Sequence, residues 1–245
     1  MRKKTKSDKL SIAARKKAAS EVKELINKLE HIYPNAHCEL DHRNAWELLI
    51  ATILSAQCTD KRVNMVTPVL FARFPDAKAL AAADQLEVEK IIRTTGFFRN
   101  KAKNIIGCSA KIVEKFAGEV PNEMSDLITL PGAARKTANV VLWNAFGKNE
   151  GVVVDTHVGR ISQRLGLTKE KAPAKIEKDL MKVVPREKWG HLSHLLIFLG
   201  RDVCKAPKPI CGNCRIQSNC PWFAEIVSKE IDQKIYRKSP KIHKI

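Results

Sequence analysis

The sequence is short of acid for its base: 26 Asp and Glu stand against 44 Lys and Arg, a formal charge of +18 over 245 residues. It holds nothing near the ~20 consecutive apolar residues of a membrane-crossing helix; its longest such run is LLIATIL, around Leu48–Leu54. The basic start, MRKKTKSDKLSIAARKKAAS, leads into no apolar core, so it does not read as a secretory signal. Sustained alternation of apolar and polar residues, the mark of a half-buried strand, is missing as well. GVVVDTH is the one strand-like piece, and no fixed repeat recurs. These gaps argue against a membrane-spanning, secreted, sheet-based or repeat protein.

What is present is helical periodicity and positive charge. Residues 1–18 carry eight Lys or Arg and one acid, and residues 229–245 carry six and two, which leaves +7 on the body between them. A basic body with basic ends points to a polyanion, of which nucleic acid is the usual one. The first 18 residues read as a disordered basic arm, with a lysine-rich nuclear signal as the alternative. The expected setting is intracellular, in the cytoplasm or nucleoid of a bacterial-type cell.

Val22, Leu25, Ile26 and Leu29 form one stripe at helical spacing, and Val63, Val66 and Leu70 another. Ala45 to Gln57 is apolar almost all round, as a central buried helix should be. Asn100 is placed to cap a helix containing Ile105 and Ile112, and Ser125 to cap a short one ending near Leu130. Further helices are expected at about 135–146, 156–165, 174–183 and 189–203. The predicted class is all-α.

Three stretches carry chemistry. The first is SDLITLPGAARKTANVVL, which reads as helix, tight turn at Pro131 and Gly132, then helix. The N–H groups of such a turn and of the following helix start make an anion site that grips a phosphate regardless of base sequence. Arg135 and Lys136 sit where the positive end of the helix dipole disfavours cations. For Arg135 a phosphate or a neighbouring helix is the natural partner. For Lys136 the field disfavours the ammonium form, and a stripe with Val140 and Trp143 suggests partial desolvation acting the same way. The plainer reading is a solvated surface lysine.

The second stretch is VVVDTHVGRISQRLG. Asp155 precedes the pattern Val158, Ile161, Leu165 and is a good N-cap. The third is CKAPKPICGNCRIQSNC, which spaces Cys204, Cys211, Cys214 and Cys220 as C-x6-C-x2-C-x5-C. Four thiolates suit zinc or iron–sulfur, and zinc ribbons usually carry two C-x2-C pairs where this segment has one. Without a secretory signal a metal site outranks disulfides. Cys38, Cys58 and Cys108 read as scattered, buried thiols.

Together these stretches resemble the endonuclease III family of helix–hairpin–helix DNA glycosylases, over roughly residues 20–225. The resemblance implies two all-α domains: a six-helix domain over 38–149 with the hairpin, and an iron–sulfur cluster domain built from 19–37 and 150–228, leaving an arm (1–18) and a tail (229–245). It makes Lys136 the nucleophile and Asp155 the catalytic carboxylate, facing each other across a groove. It makes the four spaced cysteines the ligands of a 4Fe–4S cluster, with Lys205 and Lys208 on the enclosed loop as phosphate contacts. Gly132, Ala134, Arg135 and His157 join them as DNA-contacting positions. LLIATILSAQCTDKRVN resembles the family helix whose glutamine, here Gln57, fills the space left by an extruded base. TTGFFRNKAKNII resembles the segment whose apolar residue, here Phe97, wedges beside the orphaned partner. The expected activity is a bifunctional glycosylase and abasic-site lyase, a monomer acting on oxidised pyrimidines in double-stranded DNA. The rivals are an adenine-mismatch glycosylase of the same fold and a non-catalytic iron–sulfur DNA-binding protein. The first of these carries a glutamate where Thr52 stands. One departure is visible: the family hairpin usually reads Leu-Pro-Gly-x-Gly, and its second glycine is here Ala134. If that position needs a positive φ, alanine costs about 1 kcal/mol; if φ is negative it costs nothing.

Overall fold

The structure, a computed structural model, describes residues 19–228, so the basic arm and the basic tail lie outside the described residues. Among the described residues there is no strand. The GVVVD run at 151–155 is instead irregular chain leading into a helix, since no other strand stands among the described residues to complete a ladder with it. Helix α1 (Ala19–Ile32) comes first, and the chain then divides into two compact units, one of His37–Val153 and one joining 19–36 to 154–228.

The continuous unit contains α2 (Ala45–Leu54), α3 (Asp60–Arg73), α4 (Ala77–Ala81), α5 (Gln85–Ile92), α6 (Phe98–Lys115), α7 (Met124–Leu127) and α8 (Arg135–Phe146). At its centre is α2, buried from Trp46 through Leu54. Leu48, Leu49, Ile50 and Leu54 are wholly enclosed, and each such side chain contributes about 1.5–3 kcal/mol. The neighbours α3, α6 and α8 pack around it. Leu49→Ala would leave a cavity costing about 2–5 kcal/mol.

Polar caps set four of the seven helix starts in this unit. Asn44, Thr59, Asp76 and Asp84 each accept the N–H three residues on. Two expected caps are not used. Helix α6 starts at Phe98 rather than after Asn100, because Gly96 (φ +72) and Phe97 (φ +48) turn the chain into the helix early. Glu123 rather than Ser125 precedes α7.

The discontinuous unit contains α1, α9 (Thr156–Arg164), α10 (Pro173–Val183), α11 (Trp189–Asp202) and a last helix at 221–228. The stripe Val22, Leu25, Ile26, Leu29 is buried as its spacing predicts. Beyond α1, the Tyr33 hydroxyl donates to Asp202 Oδ2 at 2.8 Å, and its ring meets Phe198 edge-on. Burial, then the Asp202 carboxylate, pushes the Tyr33 phenol up. Lys28 Nζ reaches Asn219 Oδ1 at 3.0 Å, so α1 is held by the C-terminal segment.

Candidate functional site

In the continuous unit, the hairpin runs from α7 into α8. Leu130 is buried, and the Ala133 N–H closes the turn on the Leu130 carbonyl at 3.0 Å. Gly132 has φ +79, and a Cβ there would lie 3.0 Å from Ile53 Cγ2 and 3.2 Å from Asn104 Cβ. Conformation and space both demand glycine. Ala134 has φ −72 and ψ 170, ordinary extended backbone, so the missing second glycine costs nothing. Ala134 is the N-cap of α8 and supplies no side-chain acceptor to its first turn. Ala134, Arg135 and Lys136 are exposed together with Gly132. A helix start with no side-chain cap, exposed beside a tight turn, leaves its N–H groups open to an anion.

Lys136 is the second residue of α8. The desolvation expected from Val140 and Trp143 is not found: both are half-buried, but Lys136 is exposed, because no preceding helical turn covers a side chain so near a helix start. Arg135 donates to the Glu150 carbonyl at 3.2 Å, tying the start of α8 to the chain that follows it.

Gln57 and Phe97 are also in this unit, both exposed and both left-handed, with φ +54 and +48. Among the described residues only Ala117 shares that conformation without being glycine. It costs about 1–3 kcal/mol and persists where the surroundings over-determine it. Between them lies a residue the sequence reading passed over. Lys101, 4% exposed, donates from Nζ to the Leu54 carbonyl at 2.8 Å and the Thr95 carbonyl at 2.7 Å. The signal was its register, four residues before Ile105 on the buried stripe of α6.

In the discontinuous unit, Asp155 caps α9: its Oδ1 accepts the Val158 N–H at 2.7 Å, and its φ of −96 and ψ of −172 are extended. His157 is half-buried against α11, where a Cβ on Gly200 would come within 2.6 Å of its Nδ1. Two arginines further along α9 hold the cysteine segment. Arg160 Nη2 donates to the Cys204 carbonyl at 3.0 Å. Arg164 donates to Cys204 Sγ at 3.3 Å, to the Lys205 carbonyl at 3.0 Å and to the Pro207 carbonyl at 3.3 Å, and lies over the Trp222 ring. Lys205 and Lys208 are exposed on the loop so held. The sequence signal for these arginines was their i, i+4 spacing, which puts both on one helix face.

No two of the seven cysteines are joined in a disulfide. Cys204, Cys211, Cys214 and Cys220 line one pocket, walled by apolar residues including Leu199, Ile216 and Phe223. Among the described residues no three His, Cys, Asp or Glu side chains converge on a point that holds a single metal ion. Thiols spread around the walls of one apolar pocket suit a larger inorganic core, and Arg164 offers the hydrogen bond to sulfur that such cores commonly receive. Burial pushes the Cys211, Cys214 and Cys220 thiols up; a bound cation reverses that by taking the thiolate form outright.

This fold and hairpin define a class. Residues 50–186 match the HhH-GPD superfamily of base excision DNA repair proteins. The chain is 58% identical to the endonuclease III of Synechocystis sp. over 210 residues, covering 86% of this chain and 94% of that one. It is 45% identical to the endonuclease III of Bacillus subtilis over 196 residues, 80% and 89% of the two chains. Among solved structures, a non-covalent endonuclease III–DNA complex superposes with a TM-score of 0.80 at 42% identity, covering 86% of this chain and 99% of that one. A trapped covalent endonuclease III–DNA intermediate matches equally well. The chain belongs to the endonuclease III family of HhH-GPD base excision DNA repair enzymes. No helix among the described residues is long and apolar enough to cross a membrane.

Proposed function

We propose that the protein is a bifunctional DNA glycosylase and abasic-site lyase for oxidised pyrimidines in duplex DNA, with Lys136 as nucleophile and Asp155 as the assisting carboxylate. The observation that supports the reading is the exposed start of α8, which has no side-chain cap and presents Lys136 beside the tight turn at Gly132. That a 42% identical relative was trapped as a covalent intermediate with DNA supports it.

The Lys136 amine, in its neutral form, attacks C1′ of the extruded nucleotide, and the C1′–base bond breaks with its electron pair leaving on the base, which takes up a proton. Asp155 offsets the positive charge that grows on the sugar as that bond lengthens. Opening of the sugar ring gives an iminium between Lys136 and C1′. Loss of a C2′ proton then expels the 3′ phosphate, cutting the strand 3′ to the lesion, and water releases the amine. The backbone N–H groups at Gly132 and the start of α8 hold phosphate, with Arg135, His157, Lys205 and Lys208 adding to the DNA surface. Gln57 fills the vacated stack and Phe97 wedges beside the partner base.

Cys204, Cys211, Cys214 and Cys220 would hold a 4Fe–4S cluster, which fixes the loop bearing Lys205 and Lys208 and is charged with no step of the excision. A zinc site fits less well, because the segment carries one C-x2-C pair where zinc ribbons usually carry two. The adenine-mismatch alternative fails at Thr52, a buried hydroxyl donating to the Leu48 carbonyl at 2.6 Å where that chemistry needs a carboxylate. The test is purified protein on duplexes bearing thymine glycol, an abasic site, uracil, or A opposite oxoguanine. Base release with strand cleavage is expected on the first and strand cleavage on the second; excision of A alone would overturn the reading.

A further inference from the structure

Gln57 and Phe97 are strained, exposed and separate in sequence, so something must set where one stands relative to the other. Gln57 lies three residues beyond Leu54, where α2 ends. Phe97 lies two residues beyond Thr95, where a 3-10 turn ends. The carbonyls at those two ends are both taken by one ammonium. Lys101 Nζ donates to Leu54 O at 2.8 Å and to Thr95 O at 2.7 Å, while its backbone N–H takes Phe97 O at 3.1 Å.

The site is built for a cation. Leu54 O is among the last carbonyls of a helix, which have no partner in the helix and carry the negative end of its dipole. Burying an ammonium is costly unless its donors are satisfied, and here two charge-assisted bonds do so. Burial pulls the Lys101 ammonium down, and the neighbouring Cys58 thiol opposes that shift. A methionine would fill this space at lower desolvation cost but would leave the Leu54 and Thr95 carbonyls without the donor that joins them.

We propose that Lys101 is a positioning residue for lesion reading: by joining the Leu54 and Thr95 carbonyls it holds Gln57 and Phe97 at the spacing that entry into one DNA gap requires. The inference rests on the roles given above to Gln57 and Phe97. Without the bridge each loop keeps its own turn, but the two drift relative to each other. A misplacement near 1 Å is enough to slow a reaction by on the order of a hundredfold.

The test is single-turnover excision at saturating protein on a duplex with one thymine glycol. Four proteins are compared: wild type, Lys101→Met, the double variant Gln57→Ala with Phe97→Ala, and the triple variant. Lys101→Met should excise roughly tenfold or more slowly. The triple variant should be no slower than the double, because Lys101 acts through the two residues already removed. Cleavage of an abasic site in single-stranded DNA, where no stack is opened, should be unchanged in Lys101→Met. A merely structural lysine would lower the melting temperature without this substrate-dependent split. Lys101→Gln, which keeps a donor, is run in parallel and read by the same comparisons, so a Met variant that does not fold leaves the test intact. Wild-type excision by the Lys101 variant, or a deficit that multiplies with that of the double variant, overturns the proposal and leaves the reading of Gln57 and Phe97 standing. Wild-type excision by the double variant overturns that reading, and the proposal with it.

Discussion

Asp155 and Arg164 stand at opposite ends of one helix. Asp155 caps the start of α9 through the Val158 N–H at 2.7 Å, and Arg164 at its end donates to Cys204 Sγ at 3.3 Å. The same short rod therefore fixes the carboxylate assigned to catalysis and the first cysteine of the pocket. Arg164→Leu should keep α9, since leucine is a good helix former. It removes the sulfur's donor and the loop's hold on Lys205 and Pro207. The expected result is faster loss of bound iron in air and weaker DNA binding, followed by iron content and by titration with labelled duplex.

Asp155→Asn separates cap from charge. Asn caps about as well as Asp, so the variant should melt near wild type and keep its iron. It should excise at least tenfold more slowly, because the carboxylate charge is what the growing positive sugar uses. Asp155→Ala should lose the charge and also about 1 kcal/mol of stability. Thermal melts paired with single-turnover rates distinguish the two.

Ala134 offers a trade between stability and binding. Ala134→Asp places an acceptor on the first turn of α8 and should stabilise by about 0.5–2 kcal/mol. The same carboxylate occupies the N–H groups meant for phosphate and repels it. Melting temperature should rise while affinity for abasic duplex falls at least tenfold. Gly132→Ala should destabilise instead, since φ is +79 and Ile53 Cγ2 lies 3.0 Å from the new methyl.

Stability should fall in alkali, partly through Cys108. Burial raises this thiol from 9.0 to about 12. An acid with a raised folded value is protonated in the fold while the unfolded chain ionises, so the contribution is whole below pH 9 and is lost between about pH 9 and 12. Cys108→Ala should show a shallower fall over that window in pH-dependent melts, though it starts lower for the cavity it leaves.

Much of this was legible in the sequence, for physical reasons that also mark where reading stops. The helices over 135–146 and 189–202 follow from apolar periodicity, and Asp155 announced itself as a cap through side-chain chemistry that acts three residues away. That Cys204, Cys211, Cys214 and Cys220 meet at one pocket was legible because their spacing is local. Lys101 was not, because its partners lie 47 and 6 residues distant and are carbonyls, which every residue has. The start of α6 was misplaced for a related reason: Phe97 takes a left-handed turn that phenylalanine gives no local reason to adopt. The exposure of Lys136 needed the helix start in place before it could be seen.

The most direct test of the central claim is borohydride trapping on abasic duplex DNA. Wild-type protein should be captured covalently, and Lys136→Gln should not, while still binding the duplex within a few-fold, since the hairpin holds phosphate with backbone groups that the substitution leaves alone. A Lys136→Gln protein that is trapped as efficiently as wild type would contradict the account, because another amine would then be doing the chemistry.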